Sequence, residues 1–365
     1  MNRQIRMDEL VRRIRPAVRD RRPYLVGLPE ETTVKLNQNE SPYDLPPEIK
    51  EEVLREFARI PFNRYPDEFS ERLTRTFAAY AGCDPDQVIT GNGSNDLAGL
   101  LALALIERGT PVVLPRPMFS LYAKLALLHD GDLLEIPCRE DFRFDTDALV
   151  KAAKERRPSL IVLATPNNPT GLAMTLDEIA AVADASEGFV VVDEAYLEFS
   201  DEGSALRLMD ERPNLILLRT FSKACGLAGL RLGFLIAHPD VLQELRKARM
   251  PFMIDPLASA AAHILLTAYP DVIEERARRI RQDCIAITAA LAVMEDVEVV
   301  PSQTNFVLFR TPQDAADLKE RFLQEGVLVR SMSGYPELQG FLRVNAGTEV
   351  ENKAFITALK RALSV

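Results

Sequence analysis

Six short apolar runs between residues 88 and 240 constrain the fold of this 365-residue chain more than any other feature. They are Pro111–Leu114, Leu133–Ile136, Leu160–Ala164, Phe189–Val192, Leu215–Leu218 and Gly233–Ile236. Each has the length of a strand, and most lack the polar alternation of a strand with one wet face. Helical stretches fall between most of them. One follows Ser94-Asn-Asp96, an N-cap-like start, and another follows Thr175-Leu-Asp-Glu178, which has capping-box spacing. Strands buried on both faces and joined by helices predict an α/β fold, with a large, mainly parallel sheet covered by helices. Beyond residue 255 the pattern changes. A long helix is expected over Asp271–Met294, and a further helix over Ala315–Glu325. Strand-like runs follow at Val297–Val300, Asn305–Phe309, Val327–Val329 and Phe341–Val344, with a closing helix from Val350. These describe a smaller α+β unit. The expected division is residues 1–50 as an N-terminal arm packing with the small domain, 51–260 as the large domain, and 261–365 as the small C-terminal domain.

Composition excludes several classes of function. The net charge is −10, so no surplus of cations exists to neutralise a nucleic-acid backbone. The longest apolar run, Leu97–Ile106, falls short of the ~18 residues that span a membrane. Cys83, Cys138, Cys225 and Cys284, with His129, His238 and His263, have no zinc-ligand spacing, and no metal is expected. The arginine-rich start (Arg3, Arg6, Arg12, Arg13, Arg15, Arg19, Arg21, Arg22) is broken by Asp8, Glu9 and Asp20. It lacks the serines and apolar segment of a targeting signal, so an ordered arm and a cytoplasmic location are expected.

The chemistry concentrates at strand ends. Lys223 follows Leu215–Leu218 within Thr220-Phe-Ser-Lys-Ala-Cys-Gly, with Arg231 eight residues on. A lysine at the end of a core strand is rare unless it is paired or reactive. Hydroxyls and an arginine around it suit an amine beside an anionic phosphate, and the set reads as a Schiff-base lysine holding pyridoxal phosphate. Asp193 ends Phe189–Val192, with Tyr196 three residues later. A carboxylate there suits a pyridinium nitrogen, though a strand-end aspartate also caps turns. Asn168 lies in the rigid turn Thr165-Pro-Asn-Asn-Pro-Thr-Gly171, as an amide donor or as part of a plain loop. Gly91-Asn-Gly-Ser-Asn-Asp96 precedes a helix, whose N-terminus is an anion site. It is not a dinucleotide fingerprint, because Asp96 occupies the third glycine position. Phe119 is a candidate for stacking on a ring, although alone it reads as core. Arg330 and Arg343 sit in or beside apolar strands, where burial demands an anionic partner: a substrate carboxylate or phosphate, or a structural salt bridge.

In this order, these segments resemble the histidinol-phosphate aminotransferase family of fold-type I pyridoxal-phosphate enzymes. The likeness runs from about Arg15 to the C-terminus. It is also carried by Arg22-Pro-Tyr24, Leu36-Asn-Gln-Asn-Glu-Ser-Pro42, Asn63-Arg-Tyr-Pro-Asp67 and Phe341–Thr348. The resemblance implies amino transfer from histidinol phosphate to 2-oxoglutarate in histidine biosynthesis, by a homodimer with shared active sites. It implies Lys223 as the cofactor-bonding lysine, Asp193 at the pyridine nitrogen, and Asn168 with Tyr196 at the ring O3′. Ser94, Asn95, Thr220, Ser222 and Arg231 would hold the phosphate, and Tyr65 would reach the phosphate of the other subunit. Phe119 would stack on the ring. Tyr24, Asn39, Arg330 and Arg343 would meet the substrate. One segment, Pro251-Phe-Met-Ile-Asp-Pro-Leu-Ala-Ser259, departs from the family pattern of Pro-Tyr-Asn. Its apolar character keeps open an aromatic-amino-acid aminotransferase, and the phosphate-binding arginines keep open a phosphothreonine decarboxylase. An effector-binding module of a transcription regulator fits poorly, since only about 50 residues precede the catalytic unit and the charge is acidic.

Overall fold

The structure is a computed structural model that describes residues 7–21, 23 and 33–363. The six predicted runs and one further strand, Val88–Gly91, form one seven-stranded sheet. Its strands are β2 (Val88–Gly91), β3 (Pro111–Arg116), β4 (Asp132–Pro137), β5 (Leu160–Ala164), β6 (Phe189–Asp193), β7 (Leu215–Thr220) and β8 (Gly233–Ile236), after a short β1 at Val34–Lys35. The order is β2-β8-β7-β6-β5-β3-β4. The five strands from β3 to β7 are parallel, and β8 runs antiparallel to both of its neighbours. The reversal has a local cause. Residues 221–232 contain one short 3₁₀ turn, Ala228–Leu230, and no helix that would carry the chain back across the sheet. Lys223 sits in this connection.

Leu215–Leu218, Ile161, Leu163, Val190 and Val192 are fully buried. Each such side chain contributes about 1.5–3 kcal/mol relative to exposure. The capping box predicted at Thr175 forms as expected: Thr175 Oγ1 accepts from the Glu178 N–H, and Glu178 accepts from the Thr175 N–H. The long helix spans Pro270–Ala292 and buries Ile273, Ala277, Ile280, Cys284, Ile287 and Leu291 at helical spacing.

A second sheet contains β9 (Glu298–Val300), β10 (Phe306–Arg310), β12 (Arg330–Ser331) and β13 (Phe341–Asn345), in the order β12-β13-β10-β9, all antiparallel. β1 pairs separately with β11 (Val327–Leu328). This pairing ties residues 34–35 to the segment just before β12. Farther up, Arg15 donates to Leu128 O at 2.6 Å beside the large sheet. Among the described residues no helix is long and apolar enough to cross a membrane, and no His/Cys/Asp/Glu cluster could hold a metal. The four cysteines are unpaired.

Candidate active site

Parallel strands end together, and β5, β6 and β7 deliver their C-termini to one edge of the sheet. Ala164 lies opposite Asp193, and Asp193 opposite Leu218. Thr220, Gly233 and Gly91 form the next row across β7, β8 and β2. A cavity of roughly 610 Å³ opens above these ends, between the two sheets. Lys223, Asp193, Tyr196, Asn168, Ser94, Asn95, Thr220, Ser222, Arg231, Phe119, Asn39, Arg330 and Arg343 all line it. Tyr65, also expected at the site, does not. It is 82% exposed and stacks on Phe252, with ring centroids 4.7 Å apart. Tyr24 lies outside the described residues. Phe252, Met253 and Ile254 are also absent from the cavity wall formed by one chain, so the apolar-wall argument for an aromatic donor finds no support there.

Lys223 Nζ donates to Asn39 O at 3.0 Å and approaches Gln38 O at 3.4 Å. Burial, followed by the positive charge of Arg343, lowers its amine to about 8, against the opposing charge of Glu40. Asp193 is 8% exposed. Its Oδ2 accepts from the Tyr122 hydroxyl at 2.6 Å and its Oδ1 from the Ala195 N–H at 3.0 Å. Burial nevertheless raises its pKa, because two neutral donors do not replace the lost water. Side chains alternate along β6, so the next residue, Glu194, points elsewhere. It forms a buried ion pair with Arg219 at 2.7 Å.

Tyr196 is buried, which pushes its hydroxyl to about 12. That oxygen accepts from Asn39 Nδ2 at 2.8 Å. Asn39 has a left-handed backbone, φ 55°, held by Asn345 Oδ1 accepting its N–H at 3.1 Å and by Asn305 Nδ2 donating to its carbonyl at 3.0 Å. Asn168 Oδ1 accepts from Arg343 Nη1, which leaves its own NH₂ for another acceptor. Arg343 also donates to Asn37 O at 3.0 Å and lies 5.1 Å from the Phe306 ring centroid. Arg330 is its direct cross-strand partner.

The glycine turn makes an anion cradle. The helix Ser94–Leu105 begins after Gly93 with no side-chain cap, so its first N–H groups face the cavity edge. Sequence spacing suggested a cap at Ser94-Asn-Asp96. Instead Asp96 turns back to accept from the Asn92 N–H at 3.0 Å. Arg231 Nη1 donates to Ser222 Oγ at 3.4 Å, and Ser222 Oγ lies 3.1 Å from Thr220 Oγ1. Gly93 has φ 86° and ψ 161°, and a Cβ there would meet Arg231 Nη2 at 2.7 Å. Gly93→Ala is therefore expected to cost about 1–3 kcal/mol in stability and to displace the Arg231 guanidinium. Chemical denaturation and phosphate titration would check both effects.

Sequence reasoning missed Tyr122, Gln38, Asn305 and Asn345. Tyr122 carries no signal that separates it from a core tyrosine. Asn305 and Asn345 do: each adjoins an apolar strand, and a buried amide must find partners.

The chain matches the sequence model of the family described as aminotransferase class I and II over residues 31–359. It is 40% identical to a histidinol-phosphate aminotransferase of Chlorobaculum tepidum over 348 residues, covering 95% of this chain and 99% of that one. The crystal structure of histidinol-phosphate aminotransferase from Sinorhizobium meliloti in complex with pyridoxal-5'-phosphate matches with a TM-score of 0.84 and 27% identity, over 90% of each chain. L-threonine-O-3-phosphate decarboxylase from Porphyromonas gingivalis shares the fold at a TM-score of 0.80 and 24% identity, over 91% of this chain and 100% of that one. Fold alone thus does not select the reaction. The family match and the near full-length identity do select the family: the chain belongs to the class I and II aminotransferases, within the histidinol-phosphate aminotransferase family.

Proposed function

We propose that this protein transfers the amino group of histidinol phosphate to 2-oxoglutarate with pyridoxal phosphate as cofactor. The observation that carries the reading is one cavity with two ends of different chemistry. Lys223 and Asp193 lie at the sheet edge, and the cross-strand pair Arg330 and Arg343 lies on the facing wall.

The residues suit the cofactor. The uncapped helix start at Ser94 and Asn95, with Thr220, Ser222 and Arg231, fits a phosphate dianion. Asp193, whose burial disfavours its charge, fits a protonated ring nitrogen that would restore it. Tyr196 and Asn168 suit the ring O3′, and Phe119 suits the ring face. When bound, pyridoxal phosphate supplies an aldehyde for amine attachment and a ring that withdraws electrons from the substrate Cα. Lys223 would hold the cofactor, and its amine would move the proton of the substrate Cα; an amine near 8 is neutral often enough at neutral pH to act as that base. Arg330 and Arg343 hold the substrate's phosphate, or the carboxylate of the oxo acid, with Asn39 beside them; the resemblance assigns Tyr24 to the substrate as well. We place Tyr65 at the cofactor phosphate of a second subunit. Its 82% exposure suits a contact made in a homodimer. We read residues 51–260 as the cofactor-binding domain and 261–365 as the small domain. Unpaired cysteines accord with the cytoplasm.

Steady-state kinetics test the donor. Two charge-assisted contacts to phosphate predict kcat/KM for histidinol phosphate at least about 100-fold above that for phenylalanine or tyrosine. Comparable values for the aromatic amino acids would overturn the assignment.

A further inference from the structure

Two segments that line the cavity from opposite sheets meet at an ion pair that the proposed chemistry does not use. Arg116 ends β3, three residues before Phe119 on the cavity wall. Glu337 lies in the turn Pro336–Leu338 between β12 and β13, two residues after Tyr335 on the opposite wall. Arg116 Nε donates to Glu337 Oε1 at 2.6 Å, with the side chains 32% and 15% exposed. Glu337 Oε2 is buried without a hydrogen-bond partner among the described residues. Glu337 is therefore a largely desolvated charge held by one neighbour, an arrangement that is costly to leave unpaired. Arg116 has a second carboxylate, Glu135, at 4.0 Å. The same segment has an apolar tie: Leu338, Met332 and Phe341 are buried together, with Phe142 edge-on to Phe341 at 5.3 Å. Loss of the ion pair should loosen the segment rather than unfold it.

We propose that the Arg116–Glu337 pair is a positioning latch that holds residues 331–339 as the outer wall of the cavity and so sets how tightly substrate is retained. The inference rests on the reading of this cavity as the substrate site. Neither residue touches the reacting groups. Their effect passes through Met332, Tyr335 and the adjoining Arg330, and it leaves Lys223 and Asp193 in place. The signature is a rise in KM at nearly constant kcat.

The test compares wild type, Glu337→Gln, and the exchange Arg116→Glu with Glu337→Arg. In the cofactor-free protein, amide hydrogen exchange across residues 331–339 should quicken roughly tenfold in Glu337→Gln and return toward wild type in the exchange variant. In the cofactor-loaded enzyme, KM for the amino donor should rise roughly tenfold, with kcat within about twofold, and the exchange variant should recover it. Unchanged hydrogen exchange, or a fall in kcat at constant KM, overturns the latch. If the exchange variant does not fold, Glu337→Asp replaces it: it keeps the charge and must lie nearer wild type than Glu337→Gln, and equality with Glu337→Gln overturns the latch too. Failure of wild type to turn over histidinol phosphate counts against the substrate assignment alone, because the exchange measurement does not use it.

Discussion

Lys223→Ala should give a protein that folds, yields no borohydride-trapped cofactor peptide, and turns over roughly 10⁴-fold or more slowly. Lys223 is the only lysine among the described residues lining the cavity, so no second amine stands ready to replace it. The pH dependence follows from its environment. Burial lowers the folded amine from its ordinary 10.5 to about 8. Between those two values the unfolded chain binds more protons than the folded one, so wild-type stability should rise with pH across that window. Lys223→Ala should lack this rise. Cofactor attachment by the cofactor-free protein should likewise accelerate as pH passes through about 8, where the neutral amine becomes the major form. A labelled active-site peptide in the alanine variant, or an attachment rate flat from pH 7 to 9, would contradict the assignment.

Asp193→Asn should separate binding from catalysis. Asparagine keeps its one oxygen for the Ala195 N–H and turns its NH₂ to the Tyr122 hydroxyl, which can accept as well as donate, so the wall should keep its shape. The Lys223 peptide should still be trapped, while turnover falls roughly 10²–10³-fold, because the ring nitrogen loses its counter-charge in a water-poor site. The thermal midpoint should hold or rise, since a carboxylate whose charge is disfavoured by burial has been replaced by a neutral amide. Near-normal turnover would move the role to Glu40, the other carboxylate among the described lining residues.

Much of the site was legible in the chain because its residues end strands. Asp193 closes an unbroken apolar run, and parallel strands covered by helices end at one edge, so Asp193 and Asn168 belong to that edge, with Lys223 just beyond it; the strand order that makes them neighbours comes from the structure. The cradle at Gly93 was legible for a similar reason: a glycine turn before a helix exposes N–H groups whatever the rest of the fold does. Less legible was how that helix starts, because the choice between a cap at Ser94-Asn-Asp96 and the contact from Asp96 to Asn92 depends on the local turn. The reversal at β8 follows from the missing crossover helix, but its partner β2 lies some 140 residues earlier in sequence, and nothing local selects it.

The sequence by itself determined the fold class, the lysine at the strand end and the set of residue types around it, because period, turn chemistry and a polar residue ending an apolar run are local properties. Only the tertiary structure decided the contacts made across long separations. It set Lys223 against the Asn39 carbonyl and Asp193 against Tyr122, and made Arg330 the cross-strand neighbour of Arg343. It also placed Tyr65 and Phe252 outside the cavity of their own chain and tied Arg116 to Glu337. The physical reason is that burial and pairing depend on which surfaces two distant segments present to each other. That is settled by the packing of the two sheets, and no local pattern records it.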